Sequence, residues 1–368
     1  MKIALRVDAS TRMGLGHLVR CRTLAQGLRA QGAEVRFICR AHPGHQIDTL
    51  AADAFATTAL PAPPNDIDTG ESTASENYAR WLGVPQLQDA AETLAALSGW
   101  RPDWLVVDHY GLDADWEQAL RPEVGRILVI DDLANRRHDA DLLLDQNYAT
   151  DGARRYAGLL PKSAVTLIGP RYALLHPAYA EQRRTLRSRG RDVQRLLIFF
   201  GGTDPQDLTG LALQALAAPD LADLTVDCVV GATNPHRESL SRQAAARPGT
   251  RLHGPRPHLA DLMAEADLAI GAGGTTTWER CCLGLPSLVV SIAENQRPAC
   301  AALAAGDVIH YLGHRDAVGI EVLRQAVRQL VQDRARRQHL AAAGMELVDG
   351  QGAARVVRAM QTGIGGDG

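Results

Sequence analysis

The sequence predicts an α/β protein that contains two doubly wound parallel sheets. Short runs rich in Val, Ile and Leu recur along the chain, and each leads through a polar or glycine turn into a stretch with helical period. This alternation is typical of parallel βαβ units with right-handed crossovers. The chain has 368 residues, which exceeds one ordinary domain, so we expect two Rossmann-like domains.

The predicted strands fall into two series. They are 3–7, 35–39, 104–108, 126–131, 141–145 and 165–168, followed by 196–200, 224–230, 267–271 and 287–292. The arginine-rich segment 183–195 separates the series and predicts a linker. We therefore expect an N-terminal domain over 1–178, a C-terminal domain over 190–348 and a terminal helix over 349–362 with an unknown docking partner. Residues 56–77 lack a clear period and predict a surface excursion.

Composition and charge exclude several classes of protein. The net charge is −3, and no basic block is long enough to suggest a nucleic-acid partner. No apolar run is long enough to span a membrane, and a strand-like run follows Met1 directly, so we expect a cytoplasmic protein without a signal peptide. The six cysteines lack the spacing of zinc ligands and indicate buried thiols. Nothing in the sequence indicates the oligomeric state.

A glycine turn with a histidine follows the first predicted strand. Asp8 ends the strand, Gly14 and Gly16 allow a tight turn close to a ligand, and His17 opens a helix. The partial positive charge at a helix amino terminus disfavours a protonated imidazole, and a neutral imidazole is what a general base needs. His17 is therefore a candidate base, and the alternative is a capping turn with an incidental histidine.

Polar residues also end other strands of the first series. Asp108, His109 and Tyr110 end one strand, and Asp131–Asp132 and Asp145 end two more. Because the carboxyl ends of parallel strands meet at one edge of the sheet, these side chains are expected to line one rim. An acid, an imidazole and a phenol together can orient a sugar or a water molecule. The alternative is a satisfied cluster of loop residues.

Two glycine turns in the second series suit a phosphate group. One contains Gly202 and Thr203, and the other begins at Gly271 and leads into a helix. The candidate ligand-binding residues of the second turn are Gly273, Gly274, Thr275, Thr276, Thr277, Trp278 and Glu279. Backbone N–H groups, hydroxyls and a helix dipole converge there on one anion. Plain tight turns are the alternative.

Two further polar groups complete the candidate site. Glu279 is placed to accept hydrogen bonds from ribose hydroxyls, and its alternative role is helix capping. Asn295 and Gln296 end the next strand, where amides can bridge sugar hydroxyls or acetamido groups, and a solvated loop is the alternative. No metal-binding motif is present, and we expect neither a metal nor a cofactor.

These motifs, together with Gly169–Leu175, resemble the UDP-2,4-diacetamido-2,4,6-trideoxy-β-L-altropyranose hydrolases of pseudaminic acid biosynthesis, the PseG family. The likeness runs in order from residue 1 to about residue 300. This family is related to inverting glycosyltransferases of the GT-B fold. The resemblance implies two Rossmann-like domains that face a cleft, with UDP held mainly by the second. It also implies that water attacks the anomeric carbon, breaks the carbon–oxygen bond and inverts the configuration.

The resemblance also implies roles for individual residues. His17 matches the family's proposed general base, and Tyr110 matches a tyrosine near the substrate. Residues Gly273–Thr277 match the diphosphate contacts, and Glu279 matches the ribose contact. Trp278 departs from the pattern, since some relatives carry a small amide there.

Two other functions are compatible with the same residues. A GT-B glycosyltransferase would place an acceptor hydroxyl where the hydrolase places water, and a lipid acceptor would call for an apolar patch with basic residues such as Arg20, Arg22 and Arg36. A nucleotide-sugar-binding protein without turnover would use the same UDP contacts. In each case the partner is a small UDP-sugar.

Overall fold

The structure is a computed structural model that describes residues 1–64, 78–186, 189 and 192–362. It divides into two compact units, each built on one parallel sheet. The first unit contains residues 1–147, 151–174 and the segment from Ala353 onward. The second unit contains residues 148–150 and 175–352. The two parallel sheets confirm the predicted α/β class.

The sheet of the first unit has seven strands in the order β3-β2-β1-β4-β5-β6-β7. They are β1 (Lys2–Val7), β2 (Glu34–Arg40), β3 (Ala56–Leu60), β4 (Trp104–Asp108), β5 (Arg126–Ile130), β6 (Leu142–Asp145) and β7 (Val165–Ile168). The strand order reverses between β1 and β4, where doubly wound sheets bind their ligands. Val7 pairs with Asp108, so these two strands end side by side.

Helices pack on both faces of this sheet. They are α1 (Gly16–Ala30), α2 (Ile47–Ala52), α3 (Gln86–Leu97) and α4 (Ala114–Leu120), with short 3-10 turns at Arg80–Leu82, Arg121–Glu123, Gly152–Tyr156 and Pro170–Tyr172. Side chains alternate across a strand, so Leu5 joins the apolar cluster of Leu24 from α1, whereas Ala4 joins that of Leu97 from α3. Burial on both faces explains the almost continuous apolar runs.

The second unit repeats this architecture with six strands in the order β10-β9-β8-β11-β12-β13. They are β8 (Arg195–Phe199), β9 (Thr225–Val229), β10 (Thr250–His253), β11 (Leu268–Ala272), β12 (Ser287–Ser291) and β13 (His310–His314). The helices are α5 (Pro177–Arg184), α6 (Leu208–Ala215), α7 (Arg237–Ala246), α8 (Ala260–Glu265), α9 (Thr276–Cys282), α10 (Gln296–Ala305), α11 (Ile320–Gln332) and α12 (Arg334–Leu347), with 3-10 turns at Pro219–Leu221 and Arg315–Ala317. The strand order reverses here between β8 and β11.

The sequence analysis missed three strands, and all three lie at sheet edges. They are β3 in the first unit and β10 and β13 in the second. These three strands are only partly buried, so they lack the apolar run that marks a central strand. The predicted excursion over 56–77 is wrong for residues 56–60, because β3 pairs with β2 in parallel. Residues 65–77 lie outside the described residues.

The chain passes from the first unit to the second at Leu174–Leu175, earlier than the predicted boundary at 178. The predicted linker is also tied into the second unit. Arg183 donates hydrogen bonds to the carbonyl oxygens of Cys282 and Val348, each at 2.8 Å. Arg189 likewise donates to the carbonyl oxygen of Leu283 at 2.7 Å. Arg183 and Arg189 of the predicted linker therefore bind backbone carbonyls.

The terminal helix α13 (Gly352–Thr362) packs into the core of the first unit. Val356 and Met360 are buried, and the indole of Trp104 donates a hydrogen bond to the Met360 carbonyl at 3.2 Å. The helix therefore has a defined docking site beside α1. Among the residues that the structure describes, no helix has the length and apolarity needed to cross a membrane. All six cysteines are buried and unpaired, as the sequence predicts.

We expect Met360→Ala to lower the free energy of unfolding by about 2–5 kcal/mol, because it leaves a cavity in the core of the first unit. Gln361→Ala changes an exposed neighbour on the same helix and should stay within about 0.5 kcal/mol of wild type. Urea denaturation of the three proteins measures both effects. Equal stabilities of the two variants would show that the helix does not dock.

Candidate active site

His17 lies at the reversal point of the first sheet, between the ends of β1 and β4. The turn before it is built by Ser10, whose hydroxyl accepts hydrogen bonds from the N–H groups of Arg12 at 3.2 Å and Met13 at 3.0 Å. Gly14 has a φ of +74°, a conformation that favours glycine. Helix α1 then begins at Gly16, and His17 occupies its first turn.

The carboxylate of Asp108 holds two side chains of α1. Its Oδ1 lies 2.6 Å from His17 Nδ1, and Arg20 donates to the two carboxylate oxygens at 2.6 and 2.7 Å. Asp108 is fully buried and Arg20 is almost fully buried. The structure thus brings His17 and Asp108 together, and it adds Arg20. The spacing of three residues between His17 and Arg20 on one helix face was the available sequence signal.

This arrangement fixes the chemical state of the cluster. Burial alone would raise the pKa of Asp108, but Arg20 and His17 outweigh burial and hold that pKa well below its usual range. Asp108 is therefore an anion and accepts the Nδ1 proton of His17. When the imidazole is neutral, its lone pair is on Nε2, the arrangement of a histidine base oriented by a carboxylate.

Aromatic rings surround the imidazole. The Tyr110 ring meets His17 edge-on at 4.6 Å between centroids, and Trp81 stacks on Tyr110 at 5.7 Å. The Tyr110 hydroxyl donates to Asp132 at 2.5 Å. Burial, and to a smaller extent the charge of Asp132, raise the pKa of this phenol well above its usual range. Tyr110 therefore stays protonated. Sequence reasoning missed Trp81, which has no motif around it.

Two predicted ligand-binding residues of the first unit are buried away from solvent. Asp8 is 1% exposed and forms a two-point ion pair with Arg6 at 2.6 and 2.9 Å. His109 is 3% exposed, and its Nδ1 accepts the N–H of Gly111 at 3.0 Å. Burial lowers the pKa of His109 to about 3, so its ring is neutral. Asp8 and His109 are therefore packed in the interior of the first unit, and their roles in ligand binding stay a prediction.

The burial of Arg20 bears on the glycosyltransferase alternative. A lipid acceptor would call for an apolar patch with basic residues such as Arg20, but Arg20 is only 4% exposed. Its guanidinium is already paired with Asp108, and Asp132 lies 3.5 Å away on its other side. Arg20 therefore does not contribute to a basic surface.

In the second unit, both predicted phosphate turns lie at the reversal point between β8 and β11. A Cβ atom on Gly271 would approach the Phe199 carbonyl to 2.5 Å, and one on Gly273 would collide with Cys300 Sγ. Only glycine fits at these positions. Within the part of the chain that the structure describes, no acceptor faces the N–H groups of Gly274, Thr275 and Thr276. Three consecutive free donors are a common feature of anion sites.

The turn after β8 lies beside the end of β9. The carbonyl of Gly202 occupies the space that a side chain on Gly231 would need. Asp204 caps α6, since its carboxylate accepts the N–H groups of Leu208 at 3.1 Å and Thr209 at 2.9 Å. Gly202 and Thr203 are left partly exposed at the same sheet edge as Gly273.

The remaining predicted residues of the second unit have different surroundings. Gln296 accepts the N–H of Ile292 at 2.9 Å, which turns its Nε2 towards Gly274, and Asn295 precedes it at the start of α10. Glu279 is partly buried, and burial raises its pKa to about 7 against the lowering effects of Tyr179 and Arg280. Trp278 is 2% exposed, so its side chain packs in the interior, and its contact with a ligand stays a prediction.

Comparison with known proteins confirms the resemblance that the motifs indicate. No protein-family model matches the chain. The chain is 26% identical to the spore coat polysaccharide biosynthesis protein SpsG of Bacillus subtilis, over 98% of each chain. It is 25% identical to the UDP-2,4-diacetamido-2,4,6-trideoxy-beta-L-altropyranose hydrolase of Campylobacter jejuni, over 83% of this chain and 96% of that protein.

Solved structures confirm the fold. The spinosyn rhamnosyltransferase SpnG superposes with a TM-score of 0.67 at 19% identity, covering 99% of this chain and 100% of the other. The two Rossmann-like units are therefore those of the GT-B fold. In the described residues, no three His, Cys, Asp or Glu side chains are grouped as ligands of a metal ion.

We expect Asp108→Asn to lower the free energy of unfolding by about 3–5 kcal/mol at neutral pH, because it leaves the buried Arg20 without its main counter-charge. The pKa of Asp108 is lower in the folded state than its value of about 3.9 in an unfolded chain. The stabilising effect of the carboxylate is therefore lost as the pH falls from about 3.9 towards the folded-state pKa. The difference in free energy of unfolding between wild type and variant should therefore be smaller at about pH 3 than at neutral pH.

Asp115→Asn, which changes an exposed carboxylate of α4, is the matched control and should shift stability by about 0.5 kcal/mol or less. Urea denaturation at the two pH values gives all the differences. A gap that does not change with pH would contradict the ion pairing of Asp108.

Proposed function

We propose that this protein hydrolyses a UDP-sugar to UDP and the free sugar, with His17 as the general base. The observation that carries the proposal is the His17–Asp108 pair at the reversal point of the first sheet, with Nδ1 bonded at 2.6 Å. Within the described residues, nothing bonds to His17 Nε2. A histidine oriented in this way is suited to take a proton from water.

The reaction follows from the position of the lone pair. Nε2 removes a proton from water while the water oxygen attacks the anomeric carbon of the sugar. The bond between that carbon and the phosphate oxygen breaks, its electron pair leaves with UDP, and the configuration inverts. Asp108 stabilises the imidazolium that forms, and the proton then passes from His17 to solvent. Protonated Tyr110 and Trp81 limit the water around the imidazole.

The nucleotide is assigned to the second unit. Free N–H groups at Gly274, Thr275 and Thr276 suit a diphosphate, and binding there stabilises the negative charge that builds up on the leaving group. Glu279 accepts hydrogen bonds from the ribose, and Gln296 contributes an amide. Gly202, Thr203 and Asn295 are further proposed contacts.

The sugar is assigned to the first unit. A cavity of about 500 Å³ opens there beside Trp81 and is lined by Ser10–Met13 and Ala41–His45. This volume is in the range of small-molecule sites. The likeness to the Campylobacter jejuni hydrolase supports UDP-2,4-diacetamido-2,4,6-trideoxy-β-L-altrose as the substrate, and hence a role in pseudaminic acid biosynthesis.

We expect His17→Gln to reduce hydrolysis by about 100- to 10,000-fold with UDP affinity unchanged, because the variant loses the base and keeps the nucleotide contacts. UDP release without an acceptor measures the rate, and calorimetry measures binding. His339→Gln makes the same change at an exposed position of α12 and should behave as wild type. Near-normal turnover of His17→Gln would refute the assigned base.

Hydrolysis in 18O-labelled water tests the bond that breaks. Attack at the anomeric carbon places the label on the sugar. Label on the phosphate of UDP would mean attack at phosphorus and would contradict the proposed step.

We expect UDP to bind more tightly as the pH rises through about 7, by about threefold to tenfold, because ionised Glu279 accepts ribose hydrogen bonds more strongly than the neutral acid. Glu279→Gln should lack this rise. Since UDP itself titrates in the same range, the informative quantity is the difference between the two proteins in calorimetry at about pH 5.5 and about pH 8.5. Parallel profiles would exclude the carboxylate from the ribose site.

A further inference from the structure

Arg280 lies beneath the turn from Gly271 to Thr277 and contacts it at several points. Its Nη2 donates to the Ala272 carbonyl at 2.8 Å and to Thr277 Oγ1 at 3.0 Å, and its Nη1 donates to Thr276 Oγ1 at 3.3 Å. A Cβ atom on Gly271 would lie 2.7 Å from Nη1. The guanidinium is therefore packed against the turn that contains the three free N–H donors.

The charge of Arg280 has no ion-pair partner in the described part of the chain. The residue is 2% exposed, and its Nε atom lacks a hydrogen-bond partner among the same residues. Glu279 acts on it electrostatically but forms no ion pair with it. The buried arginines of the first unit differ, because Arg6 and Arg20 each pair with a carboxylate at 2.6 Å.

A buried cation without a counter-ion is unfavourable, because burial removes its hydration. Burial lowers the pKa of Arg280, yet a guanidinium keeps its proton in proteins. An anion bound at the turn above Arg280 would supply the missing negative charge. Arg280 also orients the turn, because the Oγ1 of Thr276 accepts from Nη1 and must direct its own proton elsewhere.

We propose that Arg280 is the positive charge of the phosphate site and sets its preference for a nucleoside diphosphate over an uncharged nucleoside. This inference rests on the proposed function, which assigns the diphosphate to the same turn. Arg280 donates to Thr276 Oγ1, which leaves the hydroxyl proton of Thr276 available, and its charge adds to that of the free N–H groups. Thr276 and the backbone make the contacts, and the guanidinium beneath them provides the electrostatic attraction.

Binding of UDP, UMP and uridine to wild type, Arg280→Lys and Arg280→Gln tests this proposal. We expect Arg280→Gln to weaken UDP binding by about 10- to 100-fold and to weaken UMP binding less. The affinity for uridine should stay within about twofold of the wild-type value. Arg280→Lys keeps the charge and should retain more UDP affinity than Arg280→Gln. Thermal unfolding establishes that each variant is folded, and the lysine variant provides the test if the glutamine variant does not fold.

Arg247→Gln is the matched control. Arg247 is also buried in the second unit, but its guanidinium donates to the carbonyl oxygens of Leu216, Leu221 and Leu224, away from the turn. This variant should lose stability and keep its UDP affinity. An equal loss of UDP affinity in Arg247→Gln and Arg280→Gln would overturn the proposal, because it would show a general loss of packing.

Two other results would overturn the assignment to Arg280. One is an equal loss of UDP and uridine affinity in Arg280→Gln, which indicates a structural role only. The other is UDP affinity equal to that of wild type in both Arg280 variants. If wild type binds UDP but releases none from a UDP-sugar, the proposed hydrolysis fails while the role of Arg280 stands.

Discussion

The buried charge of Asp108 is the constraint on which the first unit depends. A carboxylate with no exposed surface at the end of β4 needs counter-charge within hydrogen-bonding distance, and α1 supplies that charge through Arg20 and a further hydrogen bond through His17. This pairing fixes the start of α1 against β4, across the reversal point of the sheet. The histidine is consequently held by an interaction that also stabilises the fold. Stability and the orientation of the candidate base share one carboxylate.

A second buried network of ion pairs in the first unit contains Asp8. Asp8 pairs with Arg6, which also binds Asp89 of α3 at 2.7 Å, and Asp89 in turn accepts from Arg40 at 2.6 Å. Asp8 and Asp108 look alike in the sequence, since each ends an apolar strand. Their different positions depend on Asp89, 81 residues beyond Asp8, and single-sequence reasoning does not reveal that contact.

The fold was predictable where burial is strongest. Central strands such as β1 and β4 are apolar on both faces and stand out in the sequence, whereas the edge strand β3 does not. In the site, glycine and hydroxyl residues identified both turns, because the backbone conformation requires them. Arg280 and Trp81 were missed as site residues, since their positions depend on tertiary packing.

The two reversal points differ in charge, and this difference supports the proposed assignment of the nucleotide to the second unit. In the first unit Asp108 and Asp132 flank Arg20, so its cation is already neutralised and a phosphate would meet carboxylates. In the second unit Arg280 lies beneath free N–H donors without an ion-pair partner in the described residues. A diphosphate therefore gains charge neutralisation in the second unit. The first unit instead keeps its lone-pair acceptor, His17, among carboxylates and aromatic rings, where a neutral sugar and a water molecule are the suitable ligands.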